Sequence, residues 1–309
     1  MLDDEIQPMV DLMNAAPGPP AHLVPIAQAR AAHVRETELL SGPGEPVAEV
    51  RDLELPGPGG PVPVRVFRPE GEPPLGLVVY LHGGGWTIGS LDGFDPLCRA
   101  LANASGAIVA SVDYRLAPEH RFPAAVDDAL AATRWLAAHA DELGADPARL
   151  AIAGDSAGAN LATVTARRLR DAGDPVALRF QALVYPVADS ALNTPSYREL
   201  SDGFGLSALT MKRYWDLYLD GADGRDPDAS PLQAEDLRGM PPAFVLTVQD
   251  DVLRDEGEAY ARALEAAGVP VELRRYDGVI HGFFRWMAKS RRSRAAVAEV
   301  GGALREALA

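Results

Sequence analysis

The sequence predicts an α/β fold built on one mostly parallel sheet. Three observations carry that expectation. From residue 75 onward the chain holds short, near-continuous apolar runs where a one-sided strand would alternate, as expected of strands covered on both faces. Helical patterns separate these runs, as parallel crossovers require. The 309 residues are 47% hydrophobic and 24% charged, with 29 glycines and 26 prolines dispersed along the chain, which is material for one large core and an accessory lobe.

Taken in order, two helices are expected over 1–14 and 24–40, separated by APGPP and ended by SGPGEP, with Ile26, Ala27 and Ala31 sharing a face of the second. A strand is expected in VAEVRDLELP, and Val62, Val64 and Val66 alternate as one face of an antiparallel partner. Buried strands follow at 75–81, 106–113, 149–153, 178–186, 242–248 and 269–276, giving about eight in all, with helices at 123–142, 157–172 and 255–267. Residues 187–240 break the rhythm, with helices expected near 207–220 and 233–238 among loops rich in Asp, Ser and Pro. An insertion that long between strands is read as a lid. The expected division is a cap of 1–45 and 187–240 over a core of 46–186 and 241–309.

Charge and composition exclude several classes. The chain carries 29 basic and 44 acidic residues, a net charge of -15, which repels phosphate backbones and anionic lipid, so nucleic acid is not an expected partner. The basic cluster RWMAKSRRSR at 285–294 is read as the solvated face of a terminal helix. No run of 18 apolar residues occurs, and the opening MLDDEIQPMV is acidic where a secretory leader would be basic, so no integral membrane association is expected. Cys98 is the lone cysteine and no Cys/His spacing suggests zinc. The expectation is a cytoplasmic protein with no metal and no organic cofactor.

The chemistry concentrates in four stretches. Gly154-Asp155-Ser156-Ala157-Gly158 lies between an expected strand and an expected helix, the setting in which a G-x-S-x-G serine is projected above a sheet on a sharp turn. Taken alone, the pentapeptide fits a helix N-cap as well as a nucleophile. His82-Gly83-Gly84-Gly85 follows the strand 75–81, and the N–H groups of Gly83 and Gly84 could converge with that of Ala157 on a developing oxyanion. His281, in YDGVIHGFF after the last strand, is the better base, because His82 at a strand end is expected to brace the donor loop. For the orienting acid, TVQDDVLRDEG offers Asp250, Asp251 and Asp255. Asp251 is favoured, Asp255 suiting a helix start with Glu258 as capping-box partner. Gly85 and Asp155 are read as supporting residues, and Arg115, Glu119 and Arg121 in DYRLAPEHRFP as a charged network behind the donor loop, with Pro118 and Pro123 limiting its motion.

Together these motifs, with DYRLAPEHRFPAAVDD and DVLRDEG, resemble the hormone-sensitive-lipase-like family of α/β-hydrolases, mostly bacterial carboxylesterases, over nearly the whole chain. The resemblance implies Ser156 as nucleophile, Asp251 as triad acid, His281 as base, and Gly83, Gly84 and Ala157 as oxyanion donors. It also implies a mixed eight-stranded sheet with the second strand antiparallel, a cap from the amino-terminal helices and an insertion after the sixth strand, and often a homodimer joined near the last strand. The pair Gln249-Asp250 departs from the family, where an aromatic often precedes the acid. A short- to medium-chain ester is the substrate so implied. An amidase or peptide hydrolase with the same triad, and a non-catalytic small-molecule binding protein, are the alternatives. Trp86, Phe204, Leu206, Leu209, Met211, Phe283 and Phe284 are candidates to line a substrate pocket, core packing being the other reading of the same side chains.

Overall fold

The computed structural model describes residues 1–15 and 18–309. Before the sheet come helix α1 (Gln7–Ala15), a single 3-10 turn at Ala21–Leu23 and helix α2 (Ile26–Leu40). The core alternates β1 (Glu49–Gly57), β2 (Gly60–Arg68), β3 (Leu75–Leu81), α3 (Leu91–Ser105), β4 (Ile108–Val112), α4 (Ala124–Ala138), β5 (Ala145–Asp155), α5 (Ala157–Asp171) and β6 (Leu178–Val184). After an insertion holding α6 (Pro195–Glu199) and α7 (Ala208–Leu219), it resumes with β7 (Ala243–Asp250), α8 (Arg254–Ala266), β8 (Val271–Ile280) and α9 (Arg291–Ala307).

All eight strands form one sheet in the order β1-β2-β4-β3-β5-β6-β7-β8, antiparallel at β1–β2 and β2–β4 and parallel elsewhere. β3 shows why its sequence is apolar without alternation. Leu77, Val79 and Leu81 enter the core on one face, with α4, α5 and α8, whereas Val78 and Tyr80 enter the core on the other, with α3 and α9. Each such side chain contributes about 1.5–3 kcal/mol by leaving water, so a polar substitution on either face is costly. The helical elements before β1 and between β6 and β7 form a cap at the carboxyl ends of the parallel strands. Ser90 and Ser207 start α3 and α7 by accepting from Gly93 N and Thr210 N, at 3.1 Å each.

Three expectations need correction. The helix near 233–238 is only a 3-10 turn at Pro231–Gln233. Ala27 and Ala31 are exposed and Ile26 half-buried; the residues α2 buries are His33 and Thr37, because this helix docks by hydrogen bonds. Finally, 285–294 is not one solvated helical face. α9 starts at Arg291, Trp286 is buried, and the Arg285 guanidinium turns inward over the Phe94 ring, 4.5 Å from its centroid. No helix of the described residues is long and apolar enough to cross a membrane.

Candidate active site

β5 runs into α5 through Ser156, whose backbone has φ 56° and ψ -120°, a left-handed conformation costly for any residue with a Cβ. The turn is held from both sides: Ser156 N donates to Val184 O of β6 at 2.8 Å, and Asn160 N returns to Ser156 O at 3.1 Å. The flanking glycines are required by contact. A Cβ on Gly158 would lie 1.9 Å from Leu81 O, and one on Gly154 would lie 2.5 Å from the Gly158 carbonyl carbon. Although Ser156 occupies the position preceding α5, its side chain makes no capping bond, which removes the N-cap reading. Its Oγ instead lies 3.0 Å from His281 Nε2.

His281 follows β8 and is succeeded by Gly282 at φ 85°, a turn that brings the ring back over the elbow. Its Nδ1 donates to Asp251 Oδ2 at 2.7 Å, and Asp251 Oδ1 accepts from Leu253 N at 2.9 Å, so both carboxylate oxygens are engaged in a buried setting. The ring of Tyr185, just past β6, packs on the imidazole at a centroid distance of 4.4 Å. Asp250 is still in the β7–β8 ladder, opposite Ile280, and burial raises its carboxyl above the ordinary range. Asp255 accepts from Ser196 N at 2.8 Å and pairs with Arg254, while Glu258 binds Arg275; the expected capping box between Asp255 and Glu258 does not form.

The donor loop corrects one expectation. Gly83 N donates to Asp155 Oδ1 at 2.8 Å, so this N–H is already committed and does not point into the cleft. Among the described residues no acceptor takes the N–H of Gly84, Gly85 or Ala157. The uncommitted N–H groups of the glycine run therefore begin at Gly84, one residue later than expected. Gly84 and Gly85 have φ 120° and 56°, and their Cβ positions would meet Ile88 O at 2.2 Å and the Tyr214 ring at 2.3 Å. Asp155 also accepts from Tyr80 OH at 2.7 Å; burial raises its carboxyl, against the lowering effects of Tyr80 and Arg285. His82 is fully enclosed between the rings of Tyr114 and Phe94, with centroids 4.3 and 5.2 Å away. Its Nδ1 donates to Gly83 O at 2.8 Å, and burial pushes its imidazole down to about 4.

A buried Ser–His–Asp relay beside uncommitted backbone N–H groups is the equipment of acyl transfer. Residues 78–285 match the family described as the alpha/beta hydrolase fold. The chain belongs to this α/β-hydrolase family. It is 44% identical over 282 residues to the carboxylic ester hydrolase LipN of Mycobacterium tuberculosis, covering 89% of this chain and 74% of that one. The ethyl acetate hydrolase of Pseudomonas putida is 41% identical over 271 residues, covering 86% and 85%. Among solved structures, the ester hydrolase EH1AB1 from the Lake Arreo metagenome, in complex with a bipyridine phosphonate derivative, superposes with a TM-score of 0.95 at 40% identity, covering 99% of each chain.

Within this α/β-hydrolase, the apolar candidates separate into groups. Trp86 is fully buried, stacked on Tyr218 at 4.2 Å and 4° and against Trp215 at 4.6 Å, so it joins the donor loop to α7 and does not line a pocket. Phe283, Phe284 and Met211 are likewise core. Phe204 and Leu206 are half-buried and flank Gly205, whose Cβ position lies 3.1 Å from Ile280 Cδ1 and 3.9 Å from His281 O, so this segment overlies the histidine. Leu209 is 57% exposed on the outer cap.

The charged stretch behind the donor loop is organised differently from the expected mutual network. Arg115 pairs with Asp128, Glu119 with Arg30 of α2, and Arg121 with Asp220 at the end of α7. Each therefore ties the stretch to a different element. Sequence reasoning missed Tyr185, Tyr214 and Arg285. Isolated aromatics and one arginine within a basic run carry no local signature, since their placement depends on which strands and helices become neighbours.

Proposed function

We infer that the protein is a serine carboxylesterase that hydrolyses short- to medium-chain carboxylic esters through an acyl-enzyme on Ser156. One observation carries the reading: hydrogen bonds of 3.0 and 2.7 Å link Ser156 Oγ to His281 and His281 to Asp251 in a single relay. His281 Nε2 takes the hydroxyl proton as Oγ attacks the ester carbonyl, and Asp251 stabilises the imidazolium through Nδ1. The N–H groups of Gly84, Gly85 and Ala157 receive the oxyanion. Collapse breaks the bond to the alkoxide, which leaves as the alcohol with the proton from His281. Water then attacks the acyl-enzyme, giving up a proton to His281; the carboxylic acid leaves and the Ser156 hydroxyl is restored.

Residues 1–45 and 187–240 act as the cap over this site, with Phe204 and Leu206 beside the acyl group. The Pseudomonas relative named for ethyl acetate supports a short acyl chain. A homodimer through the free edge of β8 and a cytoplasmic setting, in which buried Cys98 stays reduced, complete the reading. Ser156→Ala is expected to lower kcat on p-nitrophenyl butyrate by on the order of 10⁵ or more and to abolish phosphonate labelling, with the fold intact by circular dichroism. Undiminished turnover in that variant rejects the assignment. Across p-nitrophenyl acetate, butyrate, octanoate and palmitate, a maximum at palmitate rejects the chain-length reading.

A further inference from the structure

Arg285 lies four residues beyond His281, outside the relay. Its guanidinium is nevertheless built into the molecule. One terminal nitrogen donates to His33 Nε2, the other to Thr37 Oγ1 at 2.6 Å and, more weakly, to Gly93 O at 3.4 Å. Among the described residues its Nε, shut off from solvent, meets no acceptor, and no carboxylate lies within salt-bridge distance of the side chain. Drawing a cation partly out of water without a carboxylate partner costs free energy, so its inward placement asks for a use.

The contacts point to one. Thr37 Oγ1 also reaches Gly93 O at 3.0 Å, so α2 and Arg285 together pin the first turn of α3. The next residue, Phe94, lies under the guanidinium at 4.5 Å and stacks on His33 at 5.5 Å and on His82 at 5.2 Å. His82 is the first residue of the donor loop, and its ring holds Gly83 O. A continuous stack thus runs from α2 through Arg285 and Phe94 to the base of the oxyanion donors. Arg285 is also the cation that most lowers the Asp155 carboxyl, the group that commits Gly83 N–H.

We propose that Arg285 is a positioning residue of the esterase: through Phe94 and His82 it fixes the oxyanion donor loop while it fastens the amino-terminal cap helix to the core. This rests on the reading of Ser156 as nucleophile. A donor loop set slightly off loses contact with the transition state but little with the bound ester, so the effect falls on kcat.

Arg285→Met, Arg285→Lys and Thr37→Val are compared with the unaltered protein on p-nitrophenyl butyrate, with kcat expressed per phosphonate-labelled serine and urea midpoints measured in parallel. Arg285→Met is expected to lower kcat about tenfold with KM within about twofold. Arg285→Lys, which keeps the charge without the planar fork, should recover part of that loss, and Thr37→Val should lower kcat about threefold. An unchanged kcat per labelled serine in Arg285→Met, whatever its KM or urea midpoint, overturns the proposal; should that variant not fold, an unchanged kcat in Thr37→Val does the same. Wild-type protein that hydrolyses the ester without becoming labelled overturns the Ser156 reading first, whereas labelling with unaltered kcat in the variants overturns the Arg285 role alone.

Discussion

The serine elbow and the cap helix α2 lie on either side of the donor loop and are held by different forces. At the elbow, backbone meets backbone: the Cβ positions of Gly154 and Gly158 are occupied by carbonyl atoms of neighbouring segments, and most of α5 is buried behind small residues. α2 buries only His33 and Thr37 and leaves Leu39 and Val34 exposed. Its grip comes from directional bonds, Arg30 to Thr87 O at 2.8 Å and to Ala117 O at 3.0 Å, together with Arg285 to His33 and Thr37. The elbow thus has no room to adapt, while the cap is fastened at a few polar points that a single substitution can release. Ser156 is carried by the tightly packed side, and the polar fastenings are on the other.

If that contrast is right, effects should decline with distance from the elbow. Asp251→Asn should lower kcat about 10⁴-fold, because the imidazole loses the carboxylate that fixes its tautomer, whereas Asp250→Asn should change it only a few-fold. A larger fall in the Asp250 variant would move the acid by one residue. Gly158→Ala should destabilise the fold by about 3 kcal/mol or more in urea unfolding, since the added methyl meets the Leu81 carbonyl; a shift under about 1 kcal/mol would show that the elbow adapts after all.

The next effect is a pH dependence. Burial, reinforced by Arg285 and His82, holds the His33 imidazole down to about 2 against an ordinary 6.5, so the unfolded chain takes up this proton first on acidification. The stability it supplies is complete above pH 6.5 and is lost as pH falls toward the folded value. Asp113, whose carboxyl burial pushes up to about 6, works in the opposite sense, favouring the folded state at low pH and losing that advantage as pH rises through 6. His33→Gln removes the first contribution alone. Between pH 6 and pH 4 it should lose less stability than the wild type, by up to about 1.4 kcal/mol per pH unit in urea midpoints converted to free energy. Parallel curves would show that His33 does not stay neutral in the fold. Smallest of all, Leu209→Ala on the outer cap should leave kcat/KM for the acetate ester unchanged and lower that for the octanoate ester at most about threefold. A tenfold loss on acetate would erase the distinction between cap rim and elbow.

The same contrast explains what could be read in advance. Apolar runs such as Leu75–Leu81 announced β3 because both of their faces are buried by area, and glycines at 154 and 158 announced the elbow because close backbone approach leaves that residue type alone. α2 gave no such signal. Its apolar Ala27 and Ala31 face water while His33 and Thr37 face inward, a pattern that hydrophobic periodicity reads backwards. The glycine run could be located, but not that its first N–H is already bonded, because the commitment of Gly83 N–H depends on where the Asp155 side chain points.

By itself, the sequence determined the order of strands and helices, the strained turn at Ser156 and the residue types available for its chemistry, since these follow from local conformation and from burial by area. Only the tertiary structure decided which N–H groups of the glycine run are already bonded, which of three aspartates meets His281, and that Arg285 turns inward. Hydrogen bonds are short and directional, and their partners can lie far apart along the chain, 252 residues in the case of Arg285 and His33.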